Sequence, residues 1–257
     1  MSPHQSVSRW KAKLRAGLIH FGASVLVAAL VAFVVFAGWY PGPYRVLGGG
    51  TALFLILASV DVVMGPVLTL VVYDPAKSAR QLARDLVVVV CLQLGALGYG
   101  VMVMAQARPA HLVWEVDQFR VIRANDAPAE ERALALPELQ AVPWWGGPTA
   151  LAVSQPPAAE LPDAVARELA GQPLAAMPKY WRPYETIRAD VLRLARPVEE
   201  QAFLAPEERV QVLEALRRAR LDERGSLVAP LVAQRGSGVV VVDGAGYPMF
   251  VVATRSN

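Results

Sequence analysis

The chain has 257 residues, 54% of them hydrophobic and 18% charged, with a formal net charge of +3. The charge is unevenly placed: residues 1–105 hold 8 Lys/Arg against 3 Asp, whereas residues 106–257 hold 17 Lys/Arg against 19 Asp/Glu. The positive excess therefore belongs to the apolar part, where it meets anionic lipid headgroups, and no basic groove for a nucleic acid remains.

Three apolar stretches come first. Residues 16–40, 51–73 and 86–105 each have roughly the 20 residues that a helix needs to cross a hydrocarbon core of about 30 Å. The first is too long for a signal-peptide core, no small-residue cleavage site follows it, and its end, "WYPGPY", reads as an interfacial belt, so it is taken as uncleaved. Arg9, Lys11, Lys13 and Arg15 precede it, only Arg45 lies between the first and second stretches, and Lys77, Arg80 and Arg84 follow the second. By the positive-inside rule the basic N-terminus (1–15) and the second loop are cytoplasmic, and everything after the third stretch is exported, into the periplasm of a bacterium. The expected organisation is a three-helix region over 16–105 followed by a periplasmic domain over 106–257. The one cysteine, Cys91, falls in the third stretch, so the exported domain folds without disulfides.

That domain opens with "HLVWEVDQFRVIR" (111–123), two alternating runs that predict a hairpin. A possible short strand follows within "VPWWGGPTALAVSQPP" (142–157), between Pro and Gly residues. Residues 182–197 predict a helix entered at Pro183 and stopped at Pro197, and residues 206–225 a second one, with Val210, Leu213 and Leu216 at helical spacing. The β-branched tail 226–254, broken by "DGAG", predicts a second hairpin. The fold class is a membrane protein in which three transmembrane α-helices precede an α+β domain with a small, largely antiparallel sheet.

Catalytic chemistry finds little to work with. His111 is the only histidine after residue 105, which leaves no multi-histidine metal site, and it reads as a solvated strand residue. "GSG" (236–238) lacks a nucleophile elbow, "GAGYP" (244–248) lacks dinucleotide-site spacing, and Glu115 with Asp117 reads as a solvated face. No cofactor and no small-molecule substrate is expected, and the class is non-enzymatic. A membrane-bound hydrolase would need a catalytic constellation, and a sensor or transport subunit a larger cytoplasmic part or a partner permease. Trp144 and Trp145 pack the domain's own core or, as loop aromatics, form a contact surface for a partner.

The most informative residue is Asp61, roughly 15 Å into the second stretch and close to the bilayer midplane. An ionised carboxylate there costs about 3 kcal/mol or more, so it is protonated, paired, or turned to a polar cavity. Depth reckoning makes Tyr99 its internal partner in preference to the shallower His20. Gly65-Pro66, one turn on, opens the helix, and Ala96 and Gly100 allow another helix to approach closely. Two readings follow: an internal Asp61–Tyr99 hydrogen bond that glues the helices, or a polar socket for a guest helix built from Asp61, Gly65, Pro66, Tyr99 and Gly100.

Four stretches, "GWYPGPYRVLGG" (38–49), "DVVMGPVLTLVVYDP" (61–75), "RQLARDLVVVVCLQLGALGYG" (80–100) and "ARPAHLVWEVDQFRVIRAND" (107–126), together resemble the type IV pilin accessory proteins called TfpX/TfpZ. The resemblance runs over residues 9–126 and fades after about 145. It implies an inner-membrane, non-enzymatic protein of a Gram-negative bacterium that assists assembly or stability of its cognate major pilin, with membrane lipids as its other surroundings. It supplies no catalytic residues.

Overall fold

The structure, a computed structural model, describes residues 3–256. The chain divides into two compact units, one formed by the segment ending at Phe36 together with Thr51–Ala105, the other by Ala37–Gly50 together with the segment from Gln106 onward.

The first unit is helical. Helix α1 (Pro3–Val34) continues into a π-helical turn, Val35–Trp39; in sequence there follow the one-turn helix α2 (Tyr44–Leu47), α3 (Gly50–Ser59), a second π-helical turn Val60–Met64, α4 (Gly65–Val72) and α5 (Ala79–Gln106). Three helical stretches, Arg9–Trp39, Gly50–Val72 and Ala79–Gln106, are long and apolar enough to span a bilayer, and the chain is a membrane protein. Helix α5 starts well before the predicted residue 86 because Ala79, Arg80, Gln81, Leu82, Ala83 and Arg84 are good helix formers: hydrophobicity marks the part in hydrocarbon, and the helix itself runs further. Within the unit α1 packs mainly along the π turn and α4.

The break between α3 and α4 follows from Pro66. Proline has no N–H to donate and its ring crowds the preceding turn, and the helix responds by widening to i→i+5 spacing just before it. In that pattern the donor due to the Asp61 carbonyl would be Pro66 itself. The side-chain amide of Gln93 on α5 takes its place, with Nε2 donating to the Asp61 backbone oxygen at 3.3 Å.

The second unit is α+β. Its eight-stranded sheet runs β4 (Trp181–Pro183), β3 (Thr149–Val153), β1 (Pro109–Glu115), β2 (Gln118–Arg123), β6 (Leu227–Ala233), β7 (Gly236–Val242), β8 (Pro248–Ser256), with β5 (Arg196–Pro197) also on β6. Both predicted hairpins are present, β1–β2 and β7–β8, and the sheet is largely antiparallel. The exceptions are β1 beside β3 and β2 beside β6, parallel neighbours that hairpin logic does not foresee. Gly246, with φ of +84°, closes the β7–β8 turn in a conformation that favours glycine.

Cover lies on both faces of the central strands. Leu112, Trp114, Phe119, Val121, Leu231 and Val191 of helix α8 form one core; Val113, Ile122, Leu151, Ala175 and Trp181 form another. Between β2 and β3 lies the one-turn helix α6 (Ala129–Arg132), and between β3 and β4 lies α7 (Leu161–Leu169), neither of which the sequence pattern foretold. The helix expected over 182–197 is shorter: strand β4 and a 3-10 turn, Tyr184–Ile187, occupy its first half, and α8 covers only Arg188–Leu194. Tyr184 explains the change, because its hydroxyl donates to the Gly246 carbonyl at 2.6 Å and ties the segment to the far hairpin. Helix α9 (Pro206–Arg218) ends before the predicted residue 225 and lays Val212 and Leu216 on Val239, Val241 and Val252.

The link between the first two spanning stretches belongs to this second unit. Leu47 of α2 is 0% exposed within the core that holds Leu112 and Val240, and its carbonyl accepts from the Arg235 amide at 3.1 Å.

Candidate functional site

Asp61 is the middle residue of the 23-residue stretch Gly50–Val72 and is only 6% exposed. It lines a cavity of 180 Å³ together with His20, Ala23, Ser24 and Val27 of α1 and Val90, Gln93, Leu94 and Leu97 of α5. A second cavity, of 790 Å³, adjoins it through the shared residues His20, Ala23 and Val90 and follows α1 back to Lys11, with Thr69 of α4 and Tyr73 just after that helix also lining it. The two form one seam between α1 and α5, about 22 Å long from Ala12 to Val27 at 1.5 Å per residue.

Polar groups concentrate on this seam. Ser24, Asp61 and Thr69 are buried, and His20 Nδ1 is hydrogen-bonded to Thr69 Oγ1. Gln93 is oriented by its bond to the Asp61 carbonyl: the atom facing that carbonyl must be the donor nitrogen, which fixes Oε1 as the other. Asp61 Oδ1 and Gln93 Oε1 are buried and have no hydrogen-bond partner among the described residues. Such groups are costly in an apolar setting.

The pairing expected between Asp61 and Tyr99 is absent. Tyr99 is 67% exposed and does not line the cavity, whereas His20, set aside as too shallow, does. His20 meets this cavity because α1 packs along the π turn and α4, where it bonds to Thr69, a lateral pairing that counting depth along separate spans does not reveal. Gly65 and Gly100 serve the chain's own packing: a Cβ on Gly65 would collide with the Gln93 amide, and one on Gly100 with Leu57. Pro66 is buried and sets the π turn.

In the second unit Trp144 and Trp145 are 62% and 53% exposed and do not pack its core. Trp144 meets Trp39 edge-on at 5.4 Å and carries the Arg108 guanidinium over its ring at 5.0 Å, and Trp145 packs so closely on Gly38 that a Cβ there would collide with its ring. They form an aromatic ledge on the 37–50 segment.

Two polar residues expected in solvent are buried, because β1 is covered on both faces. His111 is 2% exposed, with Nδ1 2.9 Å from Thr149 Oγ1. Burial, helped by the positive charges of Arg132 and Arg108, pushes its pKa from 6.5 to about 4, so it is neutral. Glu115 accepts from Arg120 Nε at 2.6 Å and from the Ala175 amide at 2.8 Å, while Asp117 stays exposed in the turn. Among the described residues no three His, Cys, Asp or Glu side chains are placed to hold a metal ion.

The sequence family described as fimbrial assembly protein FimB matches residues 8–49, the first spanning helix and the link after it. Over most of its length the chain is similar to the serogroup I fimbrial assembly protein of Dichelobacter nodosus, 32% identical over 226 residues that make up 87% of this chain and 88% of that protein. The serogroup E1 fimbrial assembly protein of the same organism is 30% identical over 225 residues, 87% and 88% of the two chains. The protein of serogroups C1 and C2 is 36% identical over 113 residues, 44% of this chain and 86% of its own. No solved structure matches. Likeness of this extent to proteins of one kind, on a frame of three spanning helices and an α+β domain, makes the chain a member of the fimbrial assembly protein family.

Proposed function

We propose that the chain is an inner-membrane accessory protein that assists the assembly or stability of a cognate type IV major pilin and acts without a catalytic centre of its own. The observation that carries this reading is the likeness at 32% identity, across most of both chains, to a protein named for fimbrial assembly. Two surfaces suit a partner that is part membrane helix and part exported head. The polar seam between α1 and α5 is the surface for the helix, and the ledge of Trp144 and Trp145 beside Arg108 is the surface for the head. Lipids surround the remaining apolar helix faces.

The Lys/Arg distribution puts the N-terminus and the 77–84 loop in the cytoplasm and the sheet-bearing unit in the periplasm. Alkaline phosphatase fused after Ala110 is expected to be active and the same enzyme fused at Ala79 inactive. The reverse pattern overturns the placement. Deleting the gene is expected to remove most surface pili in a shearing assay while leaving pilin transcription unchanged, and normal piliation in the deletion strain would overturn the assembly role.

A further inference from the structure

Five observations on the first unit concern one place. Asp61 and Gln93 each leave a buried oxygen unpaired, both residues line the same 180 Å³ cavity, and both oxygens are acceptors. The other walls are Ala23, Val27, Val90, Leu94 and Leu97, which carry no polar side-chain atom, and Ser24, whose hydroxyl bonds to neither oxygen. The described Lys and Arg side chains of this unit stand on Arg9–Arg15 and Lys77–Arg84, at least two helical turns from Asp61 along their own or adjoining elements. His20, the other titratable side chain on the cavity wall, gives its Nδ1 to Thr69 and makes no hydrogen bond to Asp61, so its influence on the carboxylate is electrostatic only. Finally, Asp61 is midway along its span, out of reach of the lipid headgroups at either face.

The two unpaired atoms are both acceptors, one of them on a carboxylate, and together they select a donor-rich cation. A primary ammonium carries three N–H donors on a compact centre and suits two acceptors presented by different helices. A planar guanidinium would fork onto the Asp61 carboxylate alone, whereas the two unpaired oxygens here, Asp61 Oδ1 and Gln93 Oε1, stand on different helical elements. The cation must arrive at midplane depth, and a spanning helix is the carrier that can bring it there. The seam of about 22 Å between α1 and α5 offers such a helix a lateral berth of about four turns.

Building on the pilin-directed role above, we propose that the seam between α1 and α5 receives a guest transmembrane helix whose primary ammonium is held by Asp61 Oδ1 and Gln93 Oε1. The pairing removes two buried unsatisfied acceptors and one lone charge from hydrocarbon, all of which are unfavourable before the guest arrives. The guest is thus selected by a single group at one depth, and helices without that group gain nothing from the seam.

The test uses the full chain in phosphatidylcholine nanodiscs and synthetic Leu/Ala helices of 23 residues, the length of Gly50–Val72, with either lysine or norleucine at the centre. Capture is read by photo-cross-linking from a residue on the seam. The lysine helix is expected to be captured about tenfold better than the norleucine helix, equivalent to about 1.4 kcal/mol, and Asp61→Asn should abolish that preference while Gln93→Leu reduces it. Equal capture of the two helices by the wild-type chain overturns the proposal, and that result needs no variant to fold. Loss of the preference when phosphatidylethanolamine replaces part of the lipid assigns the site to a headgroup ammonium and also overturns it. Failure here leaves the assembly role standing, since that role is read separately from piliation in the deletion strain.

Discussion

Asp61 and Glu115 are both buried carboxylates, and the two units treat them in opposite ways. Glu115 has each oxygen engaged, one by Arg120 and one by the Ala175 amide, on a strand packed on both faces. Asp61 keeps an oxygen unpaired beside a cavity, next to a Gln93 oxygen in the same condition. A satisfied carboxylate fixes a fold, whereas an unsatisfied one in an apolar span is unfavourable until something pairs with it, which is the ground for the guest-helix proposal. The contrast is between a carboxylate whose burial is satisfied within its own unit and one whose burial is not.

The largest expected effect tests whether the 37–50 link is part of the sheet unit. Leu47 is fully buried among thirteen core residues, so Leu47→Ala deletes packed volume where collapse is difficult and should cost about 4 kcal/mol. Urea unfolding of the purified chain in micelles, followed by the near-ultraviolet signal of the buried tryptophans, would show it. A loss under about 1 kcal/mol would mean that the link merely rests on the domain.

Next in size is a pH effect. His111 takes up a proton near pH 6.5 when unfolded but only near about 4 when folded, so below 6.5 the unfolded chain binds more protons and stability falls with falling pH. The slope approaches 1.4 kcal/mol per unit between those values, about 3 kcal/mol in total. Unfolding midpoints measured from pH 7 to 4 should fall for the wild type and flatten in His111→Gln; parallel curves would show that another group governs acid sensitivity.

How far these features were legible in the sequence differs between the units for a physical reason. Spanning helices announce themselves by length and hydropathy alone, and Asp61 was conspicuous because a charge in such a run is costly. Its surroundings were not legible, because depth along separate helices does not say which side of each faces inward; that is how Tyr99 was chosen over His20. The antiparallel hairpins follow from local alternation and turn residues, whereas the parallel neighbours β1–β3 and β2–β6 are long-range pairings with no local mark. Strand β1 was read as half-solvated from its polar residues, His111 and Glu115, yet both are buried, Glu115 with each oxygen paired and His111 with Nδ1 bonded to Thr149 and Nε2 left without a partner.

A smaller effect measures the contrast itself. Glu115→Gln leaves Arg120 beside a neutral amide in a largely dry site and should cost about 2 kcal/mol, at the lower side of values for broken buried pairs because Arg120 is partly exposed. Asp61→Asn removes a carboxylate whose burial is unfavourable and which has no hydrogen-bonded partner, so the variant should be at least as stable as the wild type. Its effect is expected in piliation and in cross-linking to pilin, both of which should fall severalfold at normal protein abundance. Equal destabilisation by the two variants would erase the distinction between the two carboxylates.

The smallest effect is expected at Tyr99. Its ring stands 67% exposed on α5 and its hydroxyl has no place in the cavity at Asp61, so Tyr99→Phe removes one oxygen from an outward-facing position and leaves the seam unchanged. Aromatic area, helix propensity and volume are all nearly preserved, and the loss of a hydroxyl from that face is if anything favourable in hydrocarbon. Protein abundance, piliation and cross-linking to pilin in Tyr99→Phe should therefore match the wild type within error. A fall in abundance comparable to that from removing a helix contact would show that Tyr99 turns inward and holds Asp61 after all, and the carboxylate would then belong to the fold.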